Sequence, residues 1–352
     1  MMNLFENLSL KNFNTFGIDA RARYFSTFGS LEDLVGLADW ADRVGPGDLA
    51  GLAGRLSSGA LLILGGGSNI LFTRDFDGLV LRNEIKGIGL VKEDAEHVYV
   101  RAGAGENWHG FVQHALKREW AGIENLSLIP GSVGAAPMQN IGAYGVEIKD
   151  VFHELSAWHL GEKKVYTFSL NDCEFGYRES VFKHRHKGQF VILDVTFRLN
   201  KKPRFHTEYG DIRAELERMQ VRELSIQAIS QAVMHIRRSK LPDPAEIGNA
   251  GSFFKNPTVT EEKLAELKVN YPGIVGYPRP VGIKLAAGWL IEQCGWKGFR
   301  RGDAGCHARQ ALVLVNYGHA SGQEIYDLSE EILQSVRAKF GVELEREVNI
   351  IP

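Results

Sequence analysis

Ala60-Leu-Leu-Ile-Leu-Gly-Gly-Gly-Ser-Asn69 is the most informative stretch of this chain. Residues 60–64 form a short apolar run typical of a strand, and Ile70-Leu-Phe72 predicts a second short element after the glycines. Three successive glycines let backbone N–H groups converge on an anion, and Ser68 adds a hydroxyl donor. A tight turn between strands would use the same residues. The run matches neither G-x-G-x-x-G nor a phosphate loop with Gly-Lys-Ser/Thr, which disfavours a Rossmann-type or kinase-type nucleotide site.

A second glycine-rich segment, Leu128–Gly145, contains four glycines, two prolines and no charged residue. An exposed loop of this length is normally polar, so we expect this segment to be buried. Two separated loops with a permissive backbone suit a long ligand that has a pyrophosphate and an extended tail. Together they favour a large cofactor over two unrelated turns.

The composition places these loops in an otherwise ordinary globular protein. The chain has 352 residues, of which 44% are hydrophobic and 24% charged, so we expect about two to three domains. These values exclude a disordered tail, a coiled coil and a fibrous repeat. The formal net charge of -2 gives no global field that would recruit nucleic acid or an anionic membrane. The 39 glycines exceed the roughly 25 that average usage gives.

Cysteine usage and the N-terminus indicate the compartment. Cys173, Cys294 and Cys306 are widely spaced and form no C-x-x-C pair, so they predict buried thiols rather than disulfides or a metal site. Residues 1–14 lack the features of a secretory signal. The longest apolar runs fall far short of the roughly 20 residues that a membrane span needs. We therefore expect a soluble, cytoplasmic protein that holds no metal and binds neither nucleic acid nor membrane.

The hydrophobic pattern divides the chain near residue 200, at the polar stretch Asn200–Arg204. Besides residues 60–64 and 70–72, the pattern predicts strands at 78–82, 98–102, 154–160, 164–168, 190–197 and 342–352. It predicts helices at 107–119, 212–219, 225–240, 261–267, 284–294 and 322–340. The first half is therefore rich in strands, and the second half is mixed.

Four further segments carry side chains suited to chemistry. Arg178, in Gly176-Tyr-Arg178, could offer a planar fork to a carboxylate or form a surface salt bridge. The basic helix end within Ile236–Pro244 suits a phosphate or is a solvated terminus. Ser252 lies between glycine and two phenylalanines, a setting that favours a site serine, although no G-x-S-x-G elbow is present. Glu345 and Glu347 share one strand face, which is normally a solvated edge.

Taken in order, these segments resemble the UDP-N-acetylenolpyruvoylglucosamine reductases, the MurB family, over nearly the whole chain. The matching segments are Asn14–Gly17, Gly65–Asn69, Ile129–Gly134, Gln139–Gly145, Gly176–Arg178, Gly248–Pro257 and Leu344–Val348. The resemblance is to the longer class, which has a tyrosine loop. One departure is Asn349, where the family often has arginine.

The resemblance implies an α+β protein with an FAD-binding domain of the vanillyl-alcohol-oxidase (PCMH) type and a C-terminal α/β substrate-binding domain. The FAD-binding domain would comprise residues 1–200 in two subdomains, about 1–80 and 81–200. The substrate-binding domain would comprise residues 201–341. Residues 342–352 would form a terminal strand that returns to the FAD-binding domain and the site.

The implied activity is the NADPH-dependent reduction of UDP-N-acetylglucosamine enolpyruvate to UDP-N-acetylmuramate through FAD. In this step of peptidoglycan precursor synthesis, hydride passes from flavin N5 to the vinyl carbon and C2 is then protonated. The resemblance assigns Ser252 as the proton donor, and Arg178 and Glu347 as the groups that stabilise the enolate-like intermediate. We expect the protein to be a monomer.

The resemblance also assigns the binding residues. Those for the cofactor are Gly65, Gly66, Gly67, Ser68, Asn69, Ile129, Gly131, Ser132, Gly134, Asn140, Gly142, Tyr144 and Arg237. Those for the substrate are Tyr177, Tyr209, Lys240, Asn256 and Gln310, and Arg237 also matches a position used for the substrate diphosphate. Tyr209 lies in Glu208-Tyr-Gly210, which resembles the loop that closes over the bound nucleotide.

Two other classes of protein stay open at this point. A flavin oxidase of the same cofactor superfamily would share the glycine loops but lack Ser252 in its setting. Its mark would be a histidine for covalent flavin attachment, and no histidine lies near the Gly65 loop. A non-catalytic nucleotide-binding protein would be colourless when purified, whereas a flavoprotein is yellow.

Overall fold

Short strands make up much of the regular structure in the computed structural model, which describes residues 3–44 and 60–352. The strands are β1 (Phe5–Ser9), β2 (Arg21–Phe28), β3 (Leu61–Leu64), β4 (Ile70–Phe72), β5 (Phe76–Asn83), β6 (Ile88–Glu93), β7 (His97–Gly103), β8 (Gly142–Ala143), β9 (Val146–Glu147), β10 (Phe152–His159), β11 (Lys164–Ser169), β12 (Phe190–Asn200), β13 (Gly248–Ser252), β14 (Thr258–Val259), β15 (Gly276–Pro278), β16 (Ile283–Leu285), β17 (Arg300–Arg301), β18 (Ala304–Cys306), β19 (Val313–Asn316) and β20 (Asn349–Ile351). The helices are α1 (Leu31–Val44), α2 (Trp108–Leu116), α3 (Ile212–Arg218), α4 (Ile226–Lys240), α5 (Glu261–Asn270), α6 (Ala287–Gln293) and α7 (Gly322–Phe340).

The chain forms two units, each continuous in space but not in sequence. Unit 1 contains Met1–Leu8, Ala22–Gly66 and Asp77–Ser239. Unit 2 contains Ser9–Arg21, Gly67–Phe76 and Lys240–Pro352. The division of function at residues 200 and 341 stays a prediction, since residues 201–239 group here with unit 1.

Two sheets frame unit 1, with strand orders β1-β2-β5-β3 and β11-β10-β12-β7-β6. The second sheet is antiparallel where β12 pairs with β10 and β7. Asn107 caps α2 by accepting from the N–H of Gly110, and the apolar face of α2 buries Trp108 and Phe111 beside Phe197. This tight aromatic packing fixes the start of α2 next to the second glycine segment.

Unit 2 is built from smaller sheets. Their strand orders are β13-β19-β18-β17 and β14-β16-β15, and β20 pairs in parallel with β4. Helix α7 begins with a capping box between Ser321 and Glu324 and ends at Gly341, whose φ of 61° suits a glycine cap. Phe253 and Phe254, directly after β13, are fully buried. The strand that carries Ser252 is thereby fixed at its end.

The periodicity located the long elements well and the short ones less well. Strands occur where predicted in residues 61–200, and helices α2 to α5 and α7 are present. The helix predicted at 284–294 begins only at Ala287, because Ile283–Leu285 pairs as a strand with β14 and β15. The terminal strand predicted at 342–352 is limited to Asn349–Ile351. The predicted burial of Leu128–Gly145 is confirmed in part, since Asn140 is buried and Met138 is exposed.

Within residues 3–44 and 60–352, no helix is long and apolar enough to cross a membrane. The same residues contain no group of three or more His, Cys, Asp or Glu side chains arranged to hold a metal ion. Cys173 and Cys306 are buried, as predicted, and Cys294 is only partly buried. Burial raises the pKa of Cys173 and of Cys306 to about 12.

Candidate cofactor and active site

The two glycine-rich segments meet backbone to backbone in unit 1. A Cβ atom on Gly66 would lie 2.8 Å from the Cα of Gly131, and one on Gly65 would collide with the Ser132 hydroxyl. Gly131 has a φ of 121°, and its carbonyl accepts from the N–H of Trp108 at 3.0 Å. No side chain can therefore stand between the loops, which leaves a bare backbone surface of the kind that suits a diphosphate.

Residues 67–69, the remainder of the glycine run, belong to unit 2 and make different contacts. Gly67 has a φ of 63°, and a Cβ there would collide with the Phe13 carbonyl. Asn69 donates from Nδ2 to the Glu347 carbonyl at 3.2 Å. The side chain of Asn349 donates to the Asn69 carbonyl at 2.9 Å. Asn69 and Asn349 thus hold the C-terminal segment, and Asn349 makes a strand contact where the family often has arginine.

Arg237, on α4, is a partly buried cation. Its Nε donates to the Leu128 carbonyl at 3.3 Å, and the Leu128 N–H donates to Nδ1 of His109 at 2.9 Å. Burial lowers the pKa of Arg237, and no carboxylate of the described residues forms an ion pair with it. A desolvated guanidinium beside the Gly131 loop fits the diphosphate of FAD, because an anion there would compensate its charge.

Asn140 holds the second glycine segment together from inside. It is fully buried and has a φ of 43°. Its Nδ2 donates to Oε2 of Glu147 at 3.1 Å and to the Gly176 carbonyl at 2.9 Å, while its Oδ1 accepts from the N–H of Lys149 at 3.2 Å. The side chain is therefore used within the protein, and its contact with a cofactor stays a prediction.

Arg178 is fixed against the same segment. Its Nη1 donates to the Asn140 carbonyl at 3.5 Å and its Nη2 donates to the Gly142 carbonyl. The guanidinium carbon also lies 5.2 Å from the centre of the Tyr177 ring. A φ of 58°, unusual for a non-glycine residue, indicates a backbone that its surroundings hold in place. The guanidinium group of Arg178 is thus anchored on the backbone of residues 140–142.

Tyr144 and Tyr209 meet at the end of the segment. The Tyr144 ring packs against the small core of α3 and α4, and burial raises its pKa. A Cβ on Gly145 would lie 3.3 Å from the Cβ of Tyr209, and one on Gly210 would contact the Tyr144 ring. The Tyr209 loop therefore rests on residues 144–145. Tyr209 and Tyr177 are exposed, as is Lys240 at the end of α4.

Unit 2 places Ser252 at the end of β13, paired with Val313 of β19. Gly251 has a φ of 70°, and its N–H donates to Oδ1 of Asn249 at 2.9 Å. The kink at Gly251 interrupts the regular pairing of β13. No hydrogen bond of the Ser252 hydroxyl occurs within the described residues, and its role as proton donor stays a prediction.

The two C-terminal glutamates lie beside the segment that follows Ser252. The Glu347 N–H donates to the Phe253 carbonyl at 2.8 Å, and the Lys255 N–H donates to the Glu345 carbonyl at 2.8 Å. Residues 345–347 therefore run along residues 253–255, with a bridge between Phe254 and Arg346. The backbone of Glu347 therefore contacts the residue that follows Ser252, and the catalytic roles of both residues stay predictions.

Asn256 and Gln310, both predicted to bind substrate, approach the same helix. Oδ1 of Asn256 accepts from the N–H of Ala287 at 2.9 Å. A Cβ on Gly288 would lie 2.9 Å from Oε1 of Gln310. Both side chains thus lie at the start of α6 in unit 2.

Three polar residues that the sequence did not single out also belong to these arrangements. His109 supports Leu128, Lys255 pairs with Glu345, and Asn125 binds two loops of unit 1. Nothing in the local sequence, Ile123-Glu-Asn-Leu126, singles out Asn125.

Known proteins match both halves of the chain. The model of the C-terminal domain of UDP-N-acetylenolpyruvoylglucosamine reductase matches residues 243–351, and an FAD binding domain matches residues 56–163. The UDP-N-acetylenolpyruvoylglucosamine reductase of Pseudomonas putida is 51% identical over 346 residues, which cover 98% of each chain. That of Amoebophilus asiaticus is 50% identical over 351 residues and covers 99% of this chain and 100% of its own. The crystal structure of MurB from Thermus caldophilus has a TM-score of 0.65 at 23% identity over all of both chains, which shows a shared fold.

Proposed function

We propose, from the premise that this chain belongs to the UDP-N-acetylenolpyruvoylglucosamine reductase family, that it reduces UDP-N-acetylglucosamine enolpyruvate to UDP-N-acetylmuramate with NADPH. The chain is an FAD-dependent oxidoreductase of peptidoglycan synthesis, with an FAD-binding domain and a MurB C-terminal domain. The predicted family, fold class and FAD are thereby confirmed, and family membership disfavours the two other classes of protein. The reductant, the cytoplasmic location and the monomeric state belong to the proposal.

The backbone hydrogen bond from Glu347 to Phe253, the residue that follows Ser252, supports this reaction most strongly. When bound, FAD supplies hydride transfer between the nicotinamide and the enolpyruvyl group. Reduction at the vinyl carbon leaves negative charge on C2 and on the adjacent carboxylate. Ser252 then gives its proton to C2, and Glu347, beside Phe253, stabilises the charge as a proton-sharing acid.

The remaining residues bind and orient. Arg178, whose guanidinium is anchored on two carbonyls, is proposed to hold the substrate carboxylate through its planar guanidinium. Arg237 is proposed to neutralise a diphosphate beside the bare backbone at Gly66 and Gly131. Tyr209, Lys240, Asn256 and Gln310 are proposed to bind the nucleotide sugar.

The absorption spectrum of the purified protein tests the proposal under anaerobic conditions. NADPH should bleach the flavin, and UDP-N-acetylglucosamine enolpyruvate should restore its colour and yield UDP-N-acetylmuramate. UDP-N-acetylglucosamine, which lacks the enolpyruvyl group, is the matched control and should leave the flavin bleached. A flavin that the enolpyruvyl compound does not reoxidise contradicts the proposal.

A further inference from the structure

Asn125 lies buried beneath the loop that carries Tyr209. It is 1% exposed and sits in the 3-10 turn Glu124–Leu126 of unit 1. Its Nδ2 donates to the Tyr144 carbonyl at 3.0 Å and to the His206 carbonyl at 2.8 Å. One amide group therefore joins the second glycine segment to the loop of residues 201–211.

The orientation of this amide follows from its partners. Both neighbours are carbonyl oxygens, which accept, so the NH2 group must face them. The Oδ1 atom has no partner among the described residues. The side chain therefore forms hydrogen bonds only through the two N–H groups of Nδ2. Aspartate has the same size but cannot make either bond when it is ionised.

The turn that contains Asn125 is held by several buried hydrogen bonds. Glu124, a buried carboxyl group whose pKa burial raises, accepts from the N–H of Gly122 at 2.7 Å. The indole of Trp108 donates to the Leu126 carbonyl at 3.0 Å. The hydroxyls of Ser127 and Ser230 lie 2.7 Å apart. A side chain fixed on such a turn can set the position of whatever it binds.

The loop itself is the less constrained partner. Residues 201–206 and 208–210 are exposed, and Tyr209 rests on Gly145, whose φ of 84° and close contact exclude a larger residue. Tyr144, which Asn125 binds through its carbonyl, also has a positive φ of 50°. The amide of Asn125 therefore fixes both surfaces of the contact between Tyr209 and residues 144–145.

We propose that Asn125 is a positioning residue that holds the Tyr209 loop against the Tyr144–Gly145 turn and so sets the affinity for the nucleotide-sugar substrate. This inference rests on the proposed function, in which Tyr209 binds substrate. Asn125 contacts the loop through backbone carbonyls only, so its effect is on placement rather than on chemistry.

Asn125→Asp tests the proposal in the FAD-loaded protein, with Asn171→Asp, an exposed asparagine of the same unit, as the matched control. KM for UDP-N-acetylglucosamine enolpyruvate should rise about tenfold, with kcat and the rate of flavin bleaching by NADPH within about threefold. Hydrogen exchange in residues 203–211 should become faster, while β12 stays protected. Asn171→Asp should change neither KM nor the hydrogen exchange of residues 203–211.

Unchanged exchange in residues 203–211 overturns the proposal, as does an equal loss of both half-reactions. If Asn125→Asp yields no folded flavoprotein, Asn125→Ser, which introduces no charge and cannot bridge two carbonyls, is measured in the same way. Failure of the wild-type flavin to be reoxidised by the substrate would count against the proposed function instead, and the exchange comparison would still decide whether Asn125 holds the loop.

Discussion

The Nζ atom of Lys255 lies 2.5 Å from Oε1 of Glu345, and the backbone N–H of Lys255 donates to the Glu345 carbonyl at 2.8 Å. Lys255 is buried, whereas the Glu345 side chain is 69% exposed. The pair gives Glu345 a contact of its own, distinct from the role that the resemblance assigns to Glu347. Glu345 neutralises a buried cation, whereas Glu347 is the residue proposed for the acid role.

Replacing the two glutamates should therefore give opposite results. Glu345→Gln should lower the unfolding free energy by about 1 kcal/mol, because an exposed partner contributes little, and lower Tm by about 2–4 °C, with turnover nearly unchanged. Glu347→Gln should reduce turnover about a hundredfold or more and leave Tm nearly unchanged. Thermal unfolding and steady-state turnover check both. An equal loss of turnover in the two variants would show that Glu345 also takes part in catalysis.

Ser252→Ala should separate the two half-reactions. Bleaching of the flavin by NADPH should stay within about twofold, because no proton is delivered to C2 in that step. Reoxidation by the enolpyruvyl substrate should slow by about 10²–10⁴-fold. Stopped-flow absorbance measures each rate, and Ser169→Ala, an exposed serine of unit 1, serves as the control. Comparable damage to both half-reactions would rule out Ser252 as the proton donor.

Gly66→Ala should weaken the binding of FAD. The added methyl group would lie 2.8 Å from the Cα of Gly131, so the two backbones must separate, at a cost of about 1–3 kcal/mol. Gly36→Ala is the matched control, because Gly36 lies in α1 with no atom within 4 Å of its added methyl. That change should stabilise α1 by about 0.5–1 kcal/mol. Flavin retained after gel filtration, together with Tm, checks the pair, and full retention by Gly66→Ala would contradict the prediction.

His109 should make the protein less stable in acid. Burial, then Arg238 and Arg237, lower the pKa of His109, and its Nδ1 accepts from Leu128, so the folded state favours the neutral ring. The unfolded chain binds the proton more readily, and stability is therefore lost as pH falls from about 6.5 toward the lowered pKa.

His109→Asn should flatten this dependence, since Oδ1 of asparagine can accept the same N–H without titrating. Tm measured between pH 5 and 8 should fall less on acidification than it does in the wild type. His319→Asn, at an exposed position, should keep the wild-type slope. An unchanged slope in His109→Asn would show that another group is responsible.

Much of the fold could be predicted because it follows from local patterns. The 3.6-residue periodicity in residues 322–340 located α7, and the apolar, strand-rich run in residues 190–197 located β12. Short strands escaped this reasoning. Ile283–Leu285 continues into a helical pattern, and its pairing with β14 and β15 makes it a strand.

The order of motifs predicted the residues of the candidate site, yet several polar partners in the structure could not be predicted. His109, Asn125 and Lys255 act on backbone groups or charges that lie 19, 81 and 90 residues away in the chain. Sequence periodicity does not predict such contacts. A hydrogen bond between segments that are distant in sequence depends on the tertiary fold and not on the residues adjacent in the chain.

By itself, the sequence determined that this protein has two segments of permissive backbone and a family that fits them, since glycine content and motif order are local properties. The tertiary structure alone decided how Gly65-Gly-Gly-Ser-Asn69 is used. Gly65 and Gly66 allow the backbone of residues 131–132 to approach, whereas Asn69 binds the C-terminal segment at Asn349. The reason is steric and long-range. A glycine permits a close backbone contact only where the fold places a segment that is distant in sequence next to it.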